Sequence, residues 1–443
     1  MRNVKKGFKI VMNLIFLLIT IVLVCACQPT PSRTAVVYGG GLEEKIEGSP
    51  APLGVYDAPA YWRETLYIAG SDKKIEIDSS IGVPEVTAFP VYKVKQATFD
   101  EARIKPLVDY FAKGRDVYKT HEATKAEIEK QLILAKKNND EEIVVELQKK
   151  IATAPETARA EKITDWNADQ SPSGCFMTDN GEFAGISVRP NFFGYANGFI
   201  ETERIVELNG EDKIGDVAIS YENALEAGLS MLHEFGIDYM ASSSLEKARR
   251  YSRLSNSTLA EYSERPVSKG YLLIFVRNID GIAGITNNGV LFYGTDEFKY
   301  KAPFNPEEIQ IYVDENGKTQ SFAWFYPLTI EEKVNPNARL LPFNDIKQRV
   351  RDMLIFINSY DNGPVKVTSI DMNMAIIDLK DHPGEAIYVP AWFIHYNDTF
   401  YDPEISKNLQ QENTLVLNAI DGGRVLELPV EACSPENRKQ DGH

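Results

Sequence analysis

The sequence predicts an α+β protein built from tandem helix-plus-antiparallel-sheet modules, with an inserted helical hairpin. Three observations lead there. A helix, a strand and a turn-closed hairpin occur in that order twice, over residues 216–341 and 342–430. Residues 124–155 carry their apolar side chains at helical spacing. The other apolar runs alternate with period two or are short and β-rich, as strands are.

The elements follow in chain order. A first domain, 59–215, opens with "YWRETLYIAGSDKKIEID", two β-rich runs around a Gly-Ser-Asp turn, and "VTAFPVYKVKQ" is a third run. "TFDEARIKPLVDYFAKG" reads as a helix opened by Thr98 and closed near Gly114, with Ile104, Leu107 and Phe111 as its stripe. Ile128, Leu132 and Ala135, then Ile143, Leu147 and Ile151, mark the two arms of the hairpin, with a tip at 138–140 and a stop at Pro155. Such a pair is either a partner-binding projection or a solvated pair packed on its own body.

In the first module "ISYENALEAGLSMLHEFGI" starts at Ser220, an N-cap, and stops at Gly236, with Leu225, Gly228, Leu229 and Leu232 on one face. The strand "GYLLIFVRNIDGI" follows, then the hairpin "IQIYVDENGKTQSFAWFYP". In the second module Ile346, Val350, Met353, Leu354 and Ile357 share a helix face, and "VTSIDMNMAIIDLK" alternates through Ile370, Met372, Met374 and Ile376. "AIYVPAWFIHY" and a hairpin turned at Asp421-Gly422-Gly423 complete it. Ile346 lies 121 residues after Leu225, and Asp421 lies 107 after Asp314. Unequal offsets fit loops of different length, with "ASSSLEKARRYSRLSNSTLAEYSERP" as an insertion in the first copy. One helix on two or three strands buries little alone, so neighbouring modules should share apolar surface.

Residues 1–27 have a basic start (Arg2, Lys5, Lys6, Lys9), an apolar run from Ile10 to Val24, and then Cys25-Ala26-Cys27. That is the layout of a secretory signal, with a core too short for a comfortable membrane span. Ala26-Cys27 resembles the lipobox of bacterial lipoproteins. The resemblance implies cleavage after residue 26, a diacylglyceryl group on Cys27, and a body held at the outer face of the cell membrane. An uncleaved anchor helix is the rival reading. Residues 27–58 read as a flexible tether and 431–443 as a polar tail. Removing residues 1–26 takes four cations and no acid, moving the formal charge from −16 to −20. So acidic a body argues against a nucleic-acid partner, which would need clustered cations. Cys175 and Cys433 could pair or stay apart. None of the five histidines stands at i, i+4 spacing with another, so no metal site and no cofactor are expected.

The helix-then-strands module ending in an Asn418-Ala419-x-Asp421-Gly422 turn resembles the PepSY domain and the extracytoplasmic YycH/YycI regulators. Taken whole, with "FAWFYP" and "YVPAWF", the chain is similar to an uncharacterised family of lipoproteins from Gram-positive bacteria. The resemblance implies a regulatory role outside the cell. The regulators carry a membrane-spanning helix where this chain has a lipobox, which sets direct contact with a sensor kinase in doubt.

Catalytic patterns are sparse. Ser244 and Lys247 fit S-x-x-K, the nucleophile pattern of penicillin-binding enzymes, but no K-T-G follows on a later strand. Ser243 and Glu246 also make a capping box that would open a Lys- and Arg-rich helix. His233-Glu234 lacks the second zincin histidine, since position 237 is Ile. Trp324, Tyr326, Trp392 and Tyr396, with Phe325 and Phe393, either line a groove for peptide or glycan or pack a core. Pro390 suggests an edge strand or bulge. Arg277 and His395 interrupt apolar strands and need polar partners if buried. The reading is a lipid-anchored, non-enzymatic module that binds an envelope protein or peptide. The alternatives are a cell-wall hydrolase acting through Ser244 and Lys247, or a transporter's solute-binding lipoprotein.

Overall fold

The computed structural model describes residues 57–426 apart from 120–123, 138–140, 157–160, 179–182, 198–199, 205–213, 253–265, 287–299, 359–363, 380–381 and 403–406. The leader, Cys25, Cys27, nearly all of the tether, the hairpin tip, Cys433 and the tail lie outside the described residues.

The architecture is α+β, with two large sheets, each carrying helices. The N-terminal strands are β1 (Tyr61–Tyr67), β2 (Lys74–Gly82) and β3 (Val91–Gln96), followed by helix α1 (Glu101–Ala112) and β4 (Tyr118–Lys119). Helices α2 (Lys125–Lys137) and α3 (Glu141–Ile151) form the hairpin. Next come β5 (Ser173–Met177), β6 (Phe183–Arg189), β7 (Phe192–Asn197) and β8 (Ile200–Arg204). The first repeat is α4 (Tyr221–Glu234), β9 (Met240–Ser252), β10 (Pro266–Ile279), the short β11 (Ile282–Ala283) and β12 (Tyr300–Lys301), β13 (Glu308–Asp314) and β14 (Thr319–Phe325). After β15 (Leu328–Asn335) the second is α5 (Phe343–Ile357), β16 (Val365–Leu379), β17 (His382–Asp402), β18 (Lys407–Asn418) and β19 (Arg424–Leu426).

One sheet runs β4-β5-β6-β7-β14-β13-β10-β9-β8, with β11 on β10, and every pairing in it is antiparallel. The other runs β1-β2-β16-β17-β18-β19-β12, with β3 joining β17 to β15, and is mixed because β2 lies parallel to β16 and β12 to β19. Each repeat is therefore a helix followed by a four-stranded antiparallel meander.

The strands cross the segment boundaries expected from sequence. The first domain, 59–215, does not stand alone. Its strands β1–β3 complete the sheet of residues 365–426, whereas β4–β8 extend the sheet of the first repeat. Likewise β15, expected in the first module, pairs with β3. The chain starts in the second sheet, builds the first over residues 101–325 apart from β12, which pairs with β19, and returns. The physical reason is visible at the β1–β2 hairpin. Ile75 and Ile77 are fully buried and pair beside Val365 and Val367. Asp57 accepts the Phe343 N–H at the start of α5, while Lys73 donates to the Asn358 carbonyl at its end. An anion at the N-terminus and a cation at the C-terminus both oppose the helix dipole.

Two cores result. Leu107, Phe111, Ala224, Leu232, Leu273, Phe275 and Trp324 belong to the one between the first sheet and helices α1 and α4. Ile346, Val350, Met353, Trp392 and Leu417 belong to the other. Helix α4 crosses its sheet at Gly228, where a Cβ would lie 2.4 Å from Leu273 Cδ1; glycine permits that approach. The hairpin has its own small core of Ile128, Ala135 and Leu147, with Ile133 and Val145 exposed on its outside.

Residues 240–252, expected to open a helix at Ser243, form β9. The capping-box pattern loses to thirteen residues of strand paired along β10, with Ala248 and Arg250 buried on one face. Pro390 is not on an edge. It sits within β17 where pairing passes from β3 at Ala386–Tyr388 to β18 at Ala391, so no ladder bond is lost on that side.

Candidate functional site

Of the aromatic residues that could line a groove or pack a core, Trp324, Trp392 and Tyr396 are divided between the two cores. Trp324 is 3% exposed, donates from Nε1 to Glu307 Oε1 at 2.9 Å, and meets Phe99 edge-on at 5.3 Å. Trp392 is 1% exposed and packs on Phe343 at 5.1 Å, with Tyr396 buried in the same core. Period two puts these side chains on the helix-covered face of their sheets. Tyr326 is half-buried at the crossing between sheets, with φ +50° and its N–H on the Asn191 carbonyl. The four residues do not form one surface.

Ser244 and Lys247 are three residues apart on a strand and so project to opposite faces. Lys247 Nζ donates to the Gly215 carbonyl at 3.1 Å, and Ser244 Oγ lies 3.4 Å from Glu246 Oε1. The S-x-x-K geometry, in which one helical turn sets the amine beside the hydroxyl, is not made.

The polar residues that interrupt apolar strands each find a polar partner. Arg277 Nη1 donates to Glu307 Oε2 at 3.0 Å, and its guanidinium lies 3.9 Å from the Tyr239 ring centre. Burial of Glu307 raises its carboxyl to about 7, against the lowering pull of Arg277, Trp324 and Arg103. Burial likewise raises the Tyr239 phenol to about 12 and raises Tyr388. His395 Nδ1 meets Thr414 Oγ1 at 3.0 Å, and burial holds its imidazole low. Asp280, at the β10–β11 turn, bonds both Tyr92 and Lys333 across the two sheets. Asp280 thereby ties the two sheets together where the chain passes between them. Among the described residues no cluster of three or more His, Cys, Asp or Glu could hold a metal, and no helix is long and apolar enough to cross a membrane.

The accessible apolar feature is the shoulder of α4. Its buried residues are Ala224, Gly228, Met231 and Leu232. Leu225 and Leu229, expected on that face, stand to one side of it, in line with Tyr221 and His233 at four-residue steps. Tyr221 is 47% and Leu229 43% exposed. With Glu222, Glu226 and Ser230 they line an open depression of about 470 Å³. His233, at the far end, hydrogen-bonds Asp238 through Nδ1 at 2.7 Å, and that bond raises its pKa. The signal was present in the sequence, because apolar residues cover more of this helix than one core-facing stripe requires.

Helix α5 gives the comparison. Its buried Ile346, Val350, Met353 and Leu354 repeat the α4 set with a constant offset of 122 residues. The shoulder positions that match Leu225 and Leu229 are Lys347 and Arg351. Both cations stack on Trp62 of β1, and Arg351 binds Glu64 through both carboxylate oxygens. One shoulder is covered by the chain itself; the other is open.

No protein-family model and no curated protein matches the chain. Among solved structures it is similar to an uncharacterized protein from Eubacterium rectale, at 13% identity and a TM-score of 0.47, over 86% of this chain and 96% of that one.

Proposed function

We propose that the protein is held at the outer face of the cell membrane by a lipid on Cys27 and there binds an envelope protein or peptide without catalysing a reaction. The observation that carries the binding role is the open α4 shoulder, an aligned apolar surface on an otherwise strongly acidic body. The anchor rests on the basic start, the short apolar run and Ala26-Cys27. We read the two helix-and-meander units as PepSY-like. Their common order of elements supports that reading, as does the constant offset between the buried faces of α4 and α5.

Two measurements test the proposal. Intact-mass analysis of protein from its native host should give a chain that begins at Cys27 and carries acyl mass, and Cys27→Ser should release the body from membranes. Retention of an envelope protein by the anchored chain should be detectable by mass spectrometry of material recovered from intact cells. A bare sulfur at position 27 removes the anchor. Recovery of a small ligand and no protein removes the binding role.

A further inference from the structure

The offset that relates the buried faces of α4 and α5 also relates their shoulders, so Tyr221, Leu225 and Leu229 match Phe343, Lys347 and Arg351. In the second repeat one indole covers all three positions. Trp62 of β1 meets the Phe343 ring edge-on at 6.4 Å. Lys347 Nζ lies 4.9 Å and the Arg351 guanidinium 5.6 Å from the centre of the same indole. Glu64 is two residues on and so shares that face of β1. It accepts from Arg351 through Oε1 at 3.0 Å and Oε2 at 2.7 Å, and from the Trp62 indole at 2.8 Å. Gln348, one turn back on α5, also accepts from Arg351, at 3.4 Å. The α5 shoulder is thus filled by a strand that presents a ring and then an anion.

The matching line on α4 keeps the shape and changes the charge. Tyr221 and Leu229 are exposed and Leu225 is half-buried. Tyr221 meets Tyr271 of β10 edge-on at 6.4 Å, which extends the aromatic end of the line onto the sheet. Leucines stand where α5 has its two cations, and the match of Gln348 is Glu226, which lines the depression together with Glu222.

We infer that the α4 shoulder takes an extended segment of a partner protein that carries an aromatic side chain and, two residues on, a lysine or arginine. The inference rests on the binding role proposed above and names the chemistry of what is bound. The ring lies along Tyr221, Leu225 and Leu229 as Trp62 lies along Phe343, Lys347 and Arg351, with apolar surface buried on both sides. The cation takes the place of Glu64, where Glu226 and Glu222 attract it and repel the anion that suits α5.

The probes are three synthetic peptides that copy residues 60–67: the natural sequence, Glu64→Lys, and Glu64→Lys with Trp62→Ala. Each is titrated into the full chain with its leucine methyl groups labelled for NMR. The Glu64→Lys peptide should shift the Leu225 and Leu229 methyl signals saturably. The natural peptide should bind about fivefold more weakly, the span of one exposed ion pair. The peptide without Trp62 should bind at least about tenfold more weakly. In Glu226→Lys the order of the natural and Glu64→Lys peptides should reverse while Tm stays as in wild type. On the protein's own cells, a photo-crosslinking residue at Leu229 should label one envelope protein, at a segment with an aromatic residue two positions before Lys or Arg. Peptides that bind alike, a preference that Glu226→Lys leaves in place, labelling of a second copy, or labelling of a segment without that pattern would each overturn the inference. If wild type and Leu229→Glu retain the same envelope protein equally, the binding role stands and this site falls. If wild type retains none, the binding role fails and the inference with it.

Discussion

Glu307→Gln tests which of two opposing effects governs the buried pair with Arg277. The Glu307 side chain has no exposed surface. It accepts from Arg277 at 3.0 Å and from Trp324 at 2.9 Å, yet desolvation still raises its pKa from 4.5 to about 7. A carboxyl raised this far on folding adds stability that is complete below pH 4.5 and is lost as pH rises through about 7. The full contribution is about 3 kcal/mol, most of which falls between about pH 5 and pH 8. His395 acts in the opposite sense, because its lowered pKa removes stability in acid. The difference between wild type and variant cancels that contribution. A glutamine mimics the protonated carboxyl, so urea unfolding followed by tryptophan fluorescence should show the difference moving by about 2 kcal/mol in the variant's favour from about pH 5 to pH 8. A difference that does not change with pH refutes the reasoning. So does a variant that loses about 3 kcal/mol or more at the higher pH, the cost of leaving buried Arg277 without its anion.

The remaining predictions concern packing and topology. Gly270→Ala should cost about 3 kcal/mol, seen as a lower urea midpoint, because its Cβ would lie 2.0 Å from the Val313 carbonyl oxygen and backbone cannot step aside. Lys73→Met should cost about 1–2 kcal/mol by removing the cation at the end of α5, and light scattering should show no loss of monodispersity. Residues 342–443 expressed alone should be insoluble, since β16 loses β2 and α5 loses both caps. Co-expression with residues 57–97 should recover soluble protein, and failure to do so would mean that β15 is indispensable as well.

Local structure was legible in the sequence because local patterns carry it. Ser220 caps α4, Gly236 follows it at φ +70°, and the Gly317 turn joins β13 to β14. The helix faces of α1 and α5 were read nearly residue for residue. Pairing between distant strands was not legible. Nothing in "KIEIDSSIG" says that its partner is Val365–Asp371 rather than a neighbour in sequence. The Ser243–Glu246 signal was real but local, and the β10 ladder overrode it. Of the candidate site, the aromatics were ambiguous because large rings at alternating positions serve a core as readily as a groove. Leu225 and Leu229 were noticed but assigned to the core, since a helix face deduced from spacing alone does not say how wide the sheet beneath it is.

The distribution of charge on the two shoulders is the reverse of what solubility alone would produce. The covered shoulder holds Lys347 and Arg351, while the open one holds Leu225 and Leu229. Covering what remains exposed of Tyr221, Leu225 and Leu229 would gain on the order of 1 kcal/mol each. The gross total of about 3 kcal/mol, before the cost of ordering the partner, corresponds to a dissociation constant no tighter than roughly the millimolar range. Such a contact is weak between molecules free in solution. Confinement to one membrane raises the effective concentration of a neighbouring partner toward about the millimolar range, where a contact of that strength becomes populated. The proposed lipid at Cys27 and a modest site on the α4 shoulder would therefore make each other useful. Released by Cys27→Ser, the body should lose its partner even though every residue of the α4 shoulder is unchanged.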